Sequence, residues 1–382
     1  MDGGEGNAMT GPDVRVVDAS LHGDQGPIRV VVTGLDRADE VLDAVSHAGA
    51  NASLDDGRLT VVGKSTQLVD AAGRTGGADL AEPLRERLDS AIAAWAGRPA
   101  ALTTPAGDLP LDQRPLVMGV VNVTPDSFSD GGAYADEAAA VAHGEALIAA
   151  GADVLDVGGE STRPSAEPVD ADTELARVLP FVRGLVAAGA VVSIDTTKPQ
   201  VAQEAVDAGA AIVNDISAGR LDPELVPTVA KLGVPYVLMH MLGTPRTMQD
   251  DPTYHDVVAE VFEFLAEQLA RLEQAGIDRD RVLVDPGIGF GKTTADNLEL
   301  LAHLRQFTSL GCPVVVGASR KRFLGELTSV DEPADRVVSS AAAAALAVAR
   351  GAAIVRAHDV AETVEAVRVA AAIAAADRPS AS

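Results

Sequence analysis

Leu116–Gly132, LVMGVVNVTPDSFSDGG, is the stretch on which the reading of the fold turns. Leu116 to Val121 is apolar, rich in Val and without a helical polar face, the pattern of a strand buried on both sides. At Asn122 the character changes. Thr124, Pro125, Asp126, Ser127, Ser129, Asp130, Gly131 and Gly132 make a polar loop with turn chemistry around one aromatic residue, Phe128. A buried strand that ends on an amide and feeds such a loop is how an α/β enzyme builds the rim of an active site; an ordinary surface connection is the alternative.

The same unit recurs downstream. LVMGVVNV, DVLDVGG, VVSIDT, AIVND, PYVLMH, RVLVDPG, PVVVGAS and AIVRAH are apolar strand candidates, each followed by a helical pattern. Eight βα units fit a closed (β/α)8 TIM barrel, and the even count favours closure over an open doubly wound sheet. Just upstream, ALTT and LPLD flank AGD like a hairpin that closes the bottom of the barrel. Further back, VRVV, IRVVVTGL and RLTVVG read as strands, and Arg37–Ala48 and Leu80–Ala96, which carries Trp95, as helices. That pattern predicts a small α+β unit, with a ferredoxin-like arrangement expected. The predicted organisation is a disordered start over 1–12, an accessory α+β domain over 13–98, the barrel over 99–377 and a tail over 378–382.

Polar residues fall at the carboxyl ends of the predicted strands: Asn122, Asp156, Asp195, Asn214, His240, Asp285, Ser319 and His358. One such residue is a helix cap; eight at one barrel mouth make a site. In DVGGESTRPSA, which ends at Ala166, two glycines let the backbone turn, Thr162 offers a hydroxyl and Arg163 a planar cation able to pair with Asp130 across the mouth. PGIGFGKT lacks the glycine at Pro286 that a Walker loop requires and the glycine at Lys292 that a dinucleotide fingerprint requires. His143, His255 and His303 lie in predicted helices and read as structural.

Composition narrows the class. The 382 residues, 47% hydrophobic, hold enough material for a substantial core. The formal net charge of −26 disfavours nucleic acid, whose phosphates it repels, and favours small-molecule partners. No apolar run has the length of a membrane span, and MDGGEGNAMT lacks the basic start and apolar centre of a secretory signal, so a cytoplasmic protein is expected. Cys312, the single cysteine, begins an apolar run and is expected to be buried and inert. Five lysines against abundant aspartate resemble a halophilic composition; an acidic, Ala-rich chain from a GC-rich genome is the alternative.

The run NVTPDSFSDGG resembles, almost letter for letter, the first loop of dihydropteroate synthases, and the resemblance extends over about Ala101–Ala376. DVGGESTRPSA is similar to the second loop of that family, with Ser165 where many members have Gly. The resemblance implies condensation of 6-hydroxymethyl-7,8-dihydropterin diphosphate with 4-aminobenzoate in folate synthesis, and it points to a homodimer. It also implies roles for residues. Asp156, Asn214, Met239, Asp285, Phe290 and Lys321 would hold the pterin, and Asp195 would stabilise charge developing on its methylene. Arg356 and His358 would meet the diphosphate beside Asn122, which would serve as a ligand of Mg2+. Phe128, Thr162 and Pro164 would lie against the aminobenzoate ring, with Ser319 at its carboxylate, while Asp130 and Arg163 would close the loops. A pterin-dependent methyltransferase of the same barrel superfamily has no need of SFSDGG or of Arg356 with His358. A non-catalytic pterin-binding protein would be expected to lose Asn122 or Lys321, and both are present.

Overall fold

A computed structural model describes residues 13–19, 28–33, 38–48, 50–55, 58–64, 68, 78–97, 99–123, 133–161 and 168–376. The predicted disordered start over 1–12 and tail over 378–382 lie outside the described residues. The chain divides into two compact units, Met1–Gly97 with Arg305–Gly311, and Arg98–Leu304 with Cys312–Ser382.

In the first unit, strands β1 (Asp13–Ala19), β2 (Ile28–Thr33), β3 (Asn51–Asp55) and β4 (Arg58–Gly63) form an antiparallel sheet in the order β1-β2-β4-β3. Helices α1 (Ala38–His47) and α2 (Ala78–Ala96) accompany it among the described residues. Alternation decides which face is buried. Val14 and Val16, Val30 and Val32, and Leu59 and Val61 point to one side, where they share a core with Val41, Val45, Leu84 and Leu88. β2 and β3, joined through α1, lie parallel on either side of β4, which is the split βαβ unit of the expected ferredoxin-like arrangement. The difference is that the strand beside β2, β1, precedes this unit in the chain instead of following it. The strand that the sequence pattern misses is β3, whose sequence NASLD carries little apolar signal because one of its faces is exposed and the other only half-buried.

The second unit begins with the hairpin β5 (Ala101–Thr104) and β6 (Gly107–Pro110), closed by the Thr104 hydroxyl donating to the Gly107 carbonyl at 2.7 Å. Then follow β7 (Leu116–Asn122), β8 (Val154–Gly158), β9 (Val192–Asp195), β10 (Ile212–Asp215), β11 (Tyr236–Met239), β12 (Val282–Asp285), β13 (Val315–Val316) and β14 (Ile354–Ala357). They form one parallel sheet in the order β12-β11-β10-β9-β8-β7-β14-β13. A parallel bridge from Val284 to Val314 links the two ends and closes the barrel. Nearly every strand residue is buried, as expected where the interior lies on one face and a ring of helices on the other. Those helices are α3 (Ala133–Ala149), α4 (Ala171–Ala187), α5 (Pro199–Asp207), α6 (Leu225–Leu232), α7 (Val257–Gln274), α8 (Thr294–Ala302), α9 (Arg322–Thr328), α10 (Val337–Ala349) and α11 (Val360–Ala376).

Which end of the barrel is open follows from its plug. Leu102, Leu109 and Leu111 of the hairpin region pack on Leu116, Val154, Ile212, Val237, Leu283, Val315 and Ile354, all at or near strand starts. That end is apolar and sealed, so function is left to the carboxyl ends. Caps set where helices begin after the loops of that end: Asp170 accepts the Thr173 N–H at 2.7 Å before α4, and Thr293 and Asp296 form a reciprocal capping box at α8. His303 is the C-terminal cap of α8. His255, expected to be helical, instead precedes α7, because Asp256 caps that helix by accepting the Ala259 N–H at 2.9 Å.

Candidate active site

The centre of the mouth is an ion cluster spanning β8, β9, β10 and β14. Asp156, the third residue of β8, is fully buried; its Oδ2 accepts from Nε of Arg356 at 2.6 Å and from the Asn214 amide at 3.0 Å. Nη2 of Arg356 donates to Oδ2 of Asp195 at 2.9 Å. Oδ1 of Asp156 has no hydrogen-bond partner among the described residues. Two carboxylates therefore share one guanidinium and one remains short of donors, a costly arrangement unless a ligand supplies N–H groups. Burial, then the charge of Asp156, push Asp195 up to about 7 against the opposing pull of Arg356. For Arg356, burial works the other way, but the two aspartates outweigh it and hold the guanidinium protonated.

Asp285 ends β12 and accepts the Gly287 N–H at 2.7 Å. Burial raises its pKa, and Lys321 is the first of the charges that oppose the shift. Lys321 follows β13; its ammonium donates to the Ile288 carbonyl and stands 4.5 Å from the centre of the Phe290 ring. Burial brings Lys321 down to about 8. Gly289 makes this approach feasible: at φ +82°, a Cβ there would come within 2.8 Å of the Lys321 stem. Met239 ends β11 in a cluster with Ile216, Met241 and Met248, against which Phe290 packs. A flat heterocycle with N–H donors on one edge thus has carboxylates from β8 and β12, an amide from β10 and a Met- and Phe-lined wall within one mouth.

His358 directly follows β14, and Ser319 Oγ lies 3.1 Å from both its backbone nitrogen and its Nδ1. Burial, with Arg356 next, lowers His358 to about 4, so the ring is neutral at neutral pH. Arg320 pairs with Asp359 and so ties the Ser319–Lys321 segment to the end of β14. Arg356 and His358 leave the same strand end but make different contacts: the guanidinium turns to the buried aspartates, the imidazole to Ser319. Asn122 ends β7 with its side chain exposed and has no hydrogen bond to either residue among those described. Asp130, Phe128, Thr162, Arg163 and Pro164 lie outside the described residues.

Three groups of this region are not singled out by the sequence pattern. Lys292 is 3% exposed, and its ammonium sits 2.8 Å from Nδ1 of His240. Asp215, one residue beyond Asn214, is fully buried and accepts from Ser217, Gly219 and the Tyr236 hydroxyl, holding the turn after β10. Glu174 of α4 is buried as well and pairs with Lys198, which also pairs with Glu160 after β8. The available signal is the scarcity of lysine: two of the five lysines, Lys292 and Lys198, directly follow a Gly-rich turn or a strand end.

Residues 118–358 match the family described as pterin binding enzyme. The chain belongs to that family. Among pterin binding enzymes it is similar to the dihydropteroate synthase of Escherichia coli, 49% identical over 256 residues that cover 67% of this chain and 90% of the relative. The Mycobacterium leprae dihydropteroate synthase is 48% identical over 259 residues, covering 66% and 91%. A solved structure of the Xanthomonas albilineans dihydropteroate synthase with 4-aminobenzoic acid matches with a TM-score of 0.68 at 53% identity, over 72% of this chain and 98% of that one. As a pterin binding enzyme, the chain carries its polar constellation on the matched barrel segment, and residues 1–117 lie before that segment.

Proposed function

We propose that this chain condenses 6-hydroxymethyl-7,8-dihydropterin diphosphate with 4-aminobenzoate, giving 7,8-dihydropteroate and diphosphate. It is a dihydropteroate synthase activity in folate biosynthesis, and the chain is an enzyme, a transferase. The observation that carries the reading is the buried Oδ1 of Asp156, which lacks a donor in a mouth that also presents Asp285 and Asn214. A pterin offers the N–H donors such a set requires.

In this reading Asp285, Asp156 and Asn214 fix the pterin plane, with Met239, Phe290 and Lys321 around it. The C–O bond to diphosphate breaks with its electron pair leaving on the diphosphate oxygen, and positive charge develops on the pterin methylene. Asp195, when ionised, faces that charge. The aryl nitrogen then forms the C–N bond and releases its proton to solvent. Phe128, Thr162 and Pro164 receive the aminobenzoate ring and Ser319 its carboxylate, while Asp130 and Arg163 join the two loops. Arg356 is drawn between pterin carboxylates and diphosphate, and neutral His358 offers a hydrogen bond to the leaving group.

Mg2+ fits as a cation that arrives with phosphate oxygens. Among the described residues no three His, Cys, Asp or Glu side chains gather into a metal cage, whereas Asn122 presents an exposed amide at a strand end. Asn122 would hold it, and the ion would supply positive charge to the leaving diphosphate.

The same proposal includes a homodimer. Val338 and Leu346 on α10, and Val369 and Ile373 on α11, are 82%, 56%, 60% and 67% exposed, and a second copy would cover them. It also includes a halophilic, cytoplasmic setting, for which the charge of −26 is the support. Among the described residues no helix is long and apolar enough to cross a membrane. Incubating the purified chain with the pterin diphosphate, Mg2+ and 4-aminobenzoate tests the reaction. Diphosphate release that requires both organic substrates is the expected result; release without aminobenzoate would make the chain a pterin diphosphatase instead.

A further inference from the structure

The loop after β12 is held by two ammonium groups. From the mouth, Lys321 donates to the Ile288 carbonyl. From beneath, Lys292 folds back under its own loop and donates to the Phe290 carbonyl at 3.1 Å, while its ammonium meets Nδ1 of His240 at 2.8 Å. His240 is itself fixed. Its backbone N–H donates to the Asp285 carbonyl at 3.0 Å, and its ring stands edge-on to Phe264 at 4.8 Å.

Gly287 connects this pair to the pterin carboxylate. Its N–H is the one that donates to Oδ1 of Asp285, and at φ +70° a Cβ on it would collide with the His240 carbonyl oxygen and stand 3.5 Å from Nζ of Lys292. The turn that orients Asp285 is thus packed directly on Lys292 and His240, with no room for a side chain between them. Phe290, the aromatic wall, is tied to the same ammonium through its carbonyl.

We propose that Lys292 is a positioning residue for the pterin site: through Gly287 and the Phe290 carbonyl its ammonium sets the turn that presents Asp285, and its charge favours the anionic carboxylate. This rests on the synthase reading. The groups facing Lys292 are His240, Asp285, Lys321, Asp296, Arg220 and Tyr254. Among them the two carboxylates favour the ammonium and the two other cations oppose it, while burial brings Lys292 down to about 7. In turn Lys292 is one of the charges, with Lys321 and Arg356, that oppose the upward shift of Asp285. A buried ammonium next to a histidine is retained at a cost, and holding a ligand-reading carboxylate is a function that offsets it.

The test is calorimetric titration of the full chain with 6-hydroxymethyl-7,8-dihydropterin across pH 6 to 9, alongside Lys292→Met and Lys292→Arg variants shown by circular dichroism to be folded. In the parent chain, affinity is expected to fall on the alkaline side in two steps, near 7 as Lys292 loses its proton and near 8 as Lys321 does. Lys292→Met should bind about tenfold more weakly below the first step and lose that step, keeping only the later one. Lys292→Arg should keep most of the affinity and also lose the first step, since guanidinium does not titrate there. A merely structural lysine would lower affinity without moving the alkaline limb. A folded Lys292→Met chain with the parent's affinity and pH profile overturns the inference. A parent chain that binds no pterin at any pH removes the synthase reading, and the inference with it.

Discussion

Nε of Arg356 donates to Oδ2 of Asp156 at 2.6 Å, so a cation from the last barrel strand crosses the mouth to a carboxylate on the second. The same guanidinium reaches Asp195, and in both contacts the acceptor is Oδ2. A ligand entering the mouth therefore meets an ion cluster already formed, in which one oxygen of Asp156 still lacks a donor.

Asp156→Asn is expected to weaken pterin binding by roughly 2–4 kcal/mol, because an acceptor-only group becomes one that presents a donor to Arg356 and to the ligand. Thermal stability should change less, since Arg356 keeps Asp195. Calorimetry with dihydropterin, paired with a melt of each chain, checks both. Unaltered pterin affinity would remove Asp156 from the site.

Asp285→Asn should cost a similar roughly 2–4 kcal/mol in pterin affinity, since the charge is lost and, with the amide oxygen accepting the Gly287 N–H, an NH2 donor is left facing the ligand. It differs from the Asp156 change in one respect. Removing this negative charge also removes the strongest support for the ammonium forms of Lys321 and Lys292, each of which has Asp285 as its main favourable charge. The alkaline limb of turnover should consequently move to lower pH; a limb that stays in place would separate these lysines from Asp285.

Much of this site is legible in the amino-acid sequence. The strands from β7 to β14 announce themselves as short apolar runs with a polar residue near their ends, although β8 runs two residues past Asp156 and β13 stops three short of Ser319, and the plug hairpin as two short runs around a Gly turn. What the sequence hides has physical causes. Closure rests on one bridge between Val284 and Val314 beside a two-residue strand, so PVVVGAS promises more pairing than exists. Asp215 is overshadowed by Asn214 because strand ends are fixed by hydrogen bonds rather than by residue type. Lys292 reads as an ordinary loop cation, since no local pattern foretells that its stem folds back beneath a loop onto a histidine 52 residues away. Arg356 shares a strand end with His358, but where its long side chain goes depends on which buried charges are nearest, a tertiary property.

Stability should rise with pH between about 7 and about 10, and Lys292 should contribute to the rise. Its folded value, about 7, lies below the ordinary lysine value of 10.5, so between them the unfolded chain binds the proton more tightly. By linkage, folding then gains as pH climbs through that window and loses below it. Asp195 works in the opposite sense at lower pH: its value rises from 3.8 to about 7, so its contribution is greatest in acid and is lost as pH approaches 7. Urea midpoints from pH 7 to 10 should climb in the parent chain and climb less in Lys292→Met, with a difference of about 1–3 kcal/mol. Parallel curves would show that Lys292 is charged throughout.

Leu346→Glu, at a position 56% exposed on α10, should yield a monomer if the apolar surface with Val338, Val369 and Ile373 is where two copies meet. A carboxylate buried there without a partner costs several kcal/mol, about enough to lower association a hundredfold or more. Light scattering at micromolar concentration distinguishes the outcomes. A parent chain already monomeric, or a variant still dimeric, would place the contact elsewhere or nowhere.

Salt should raise both stability and turnover. A formal charge of −26 on one chain implies self-repulsion distributed over its surface, which unfolding relieves by separating the charges. Screening shortens the reach of that repulsion to about 10 Å at 0.1 M salt and about 3 Å at 1 M, so the folded state gains most from added salt. The ion pairs described in the mouth are shielded from this effect because they are largely buried, Asp156 wholly so, and their loss at high salt is correspondingly small. Capture of substrate should follow the same direction. Pterin diphosphate and 4-aminobenzoate are anions approaching an acidic surface, and Lys321 and Arg356 attract them only at close range. At low salt the long-range repulsion dominates the approach and the Michaelis constants are high; at high salt it is screened while the short contacts remain. Thermal melts and steady-state turnover across a KCl series from about 0.1 M to about 2 M should therefore rise together. A chain most stable and most active in dilute buffer would refute the halophilic reading and leave the catalytic one intact, because none of the contacts assigned to the reaction depends on the surface charge.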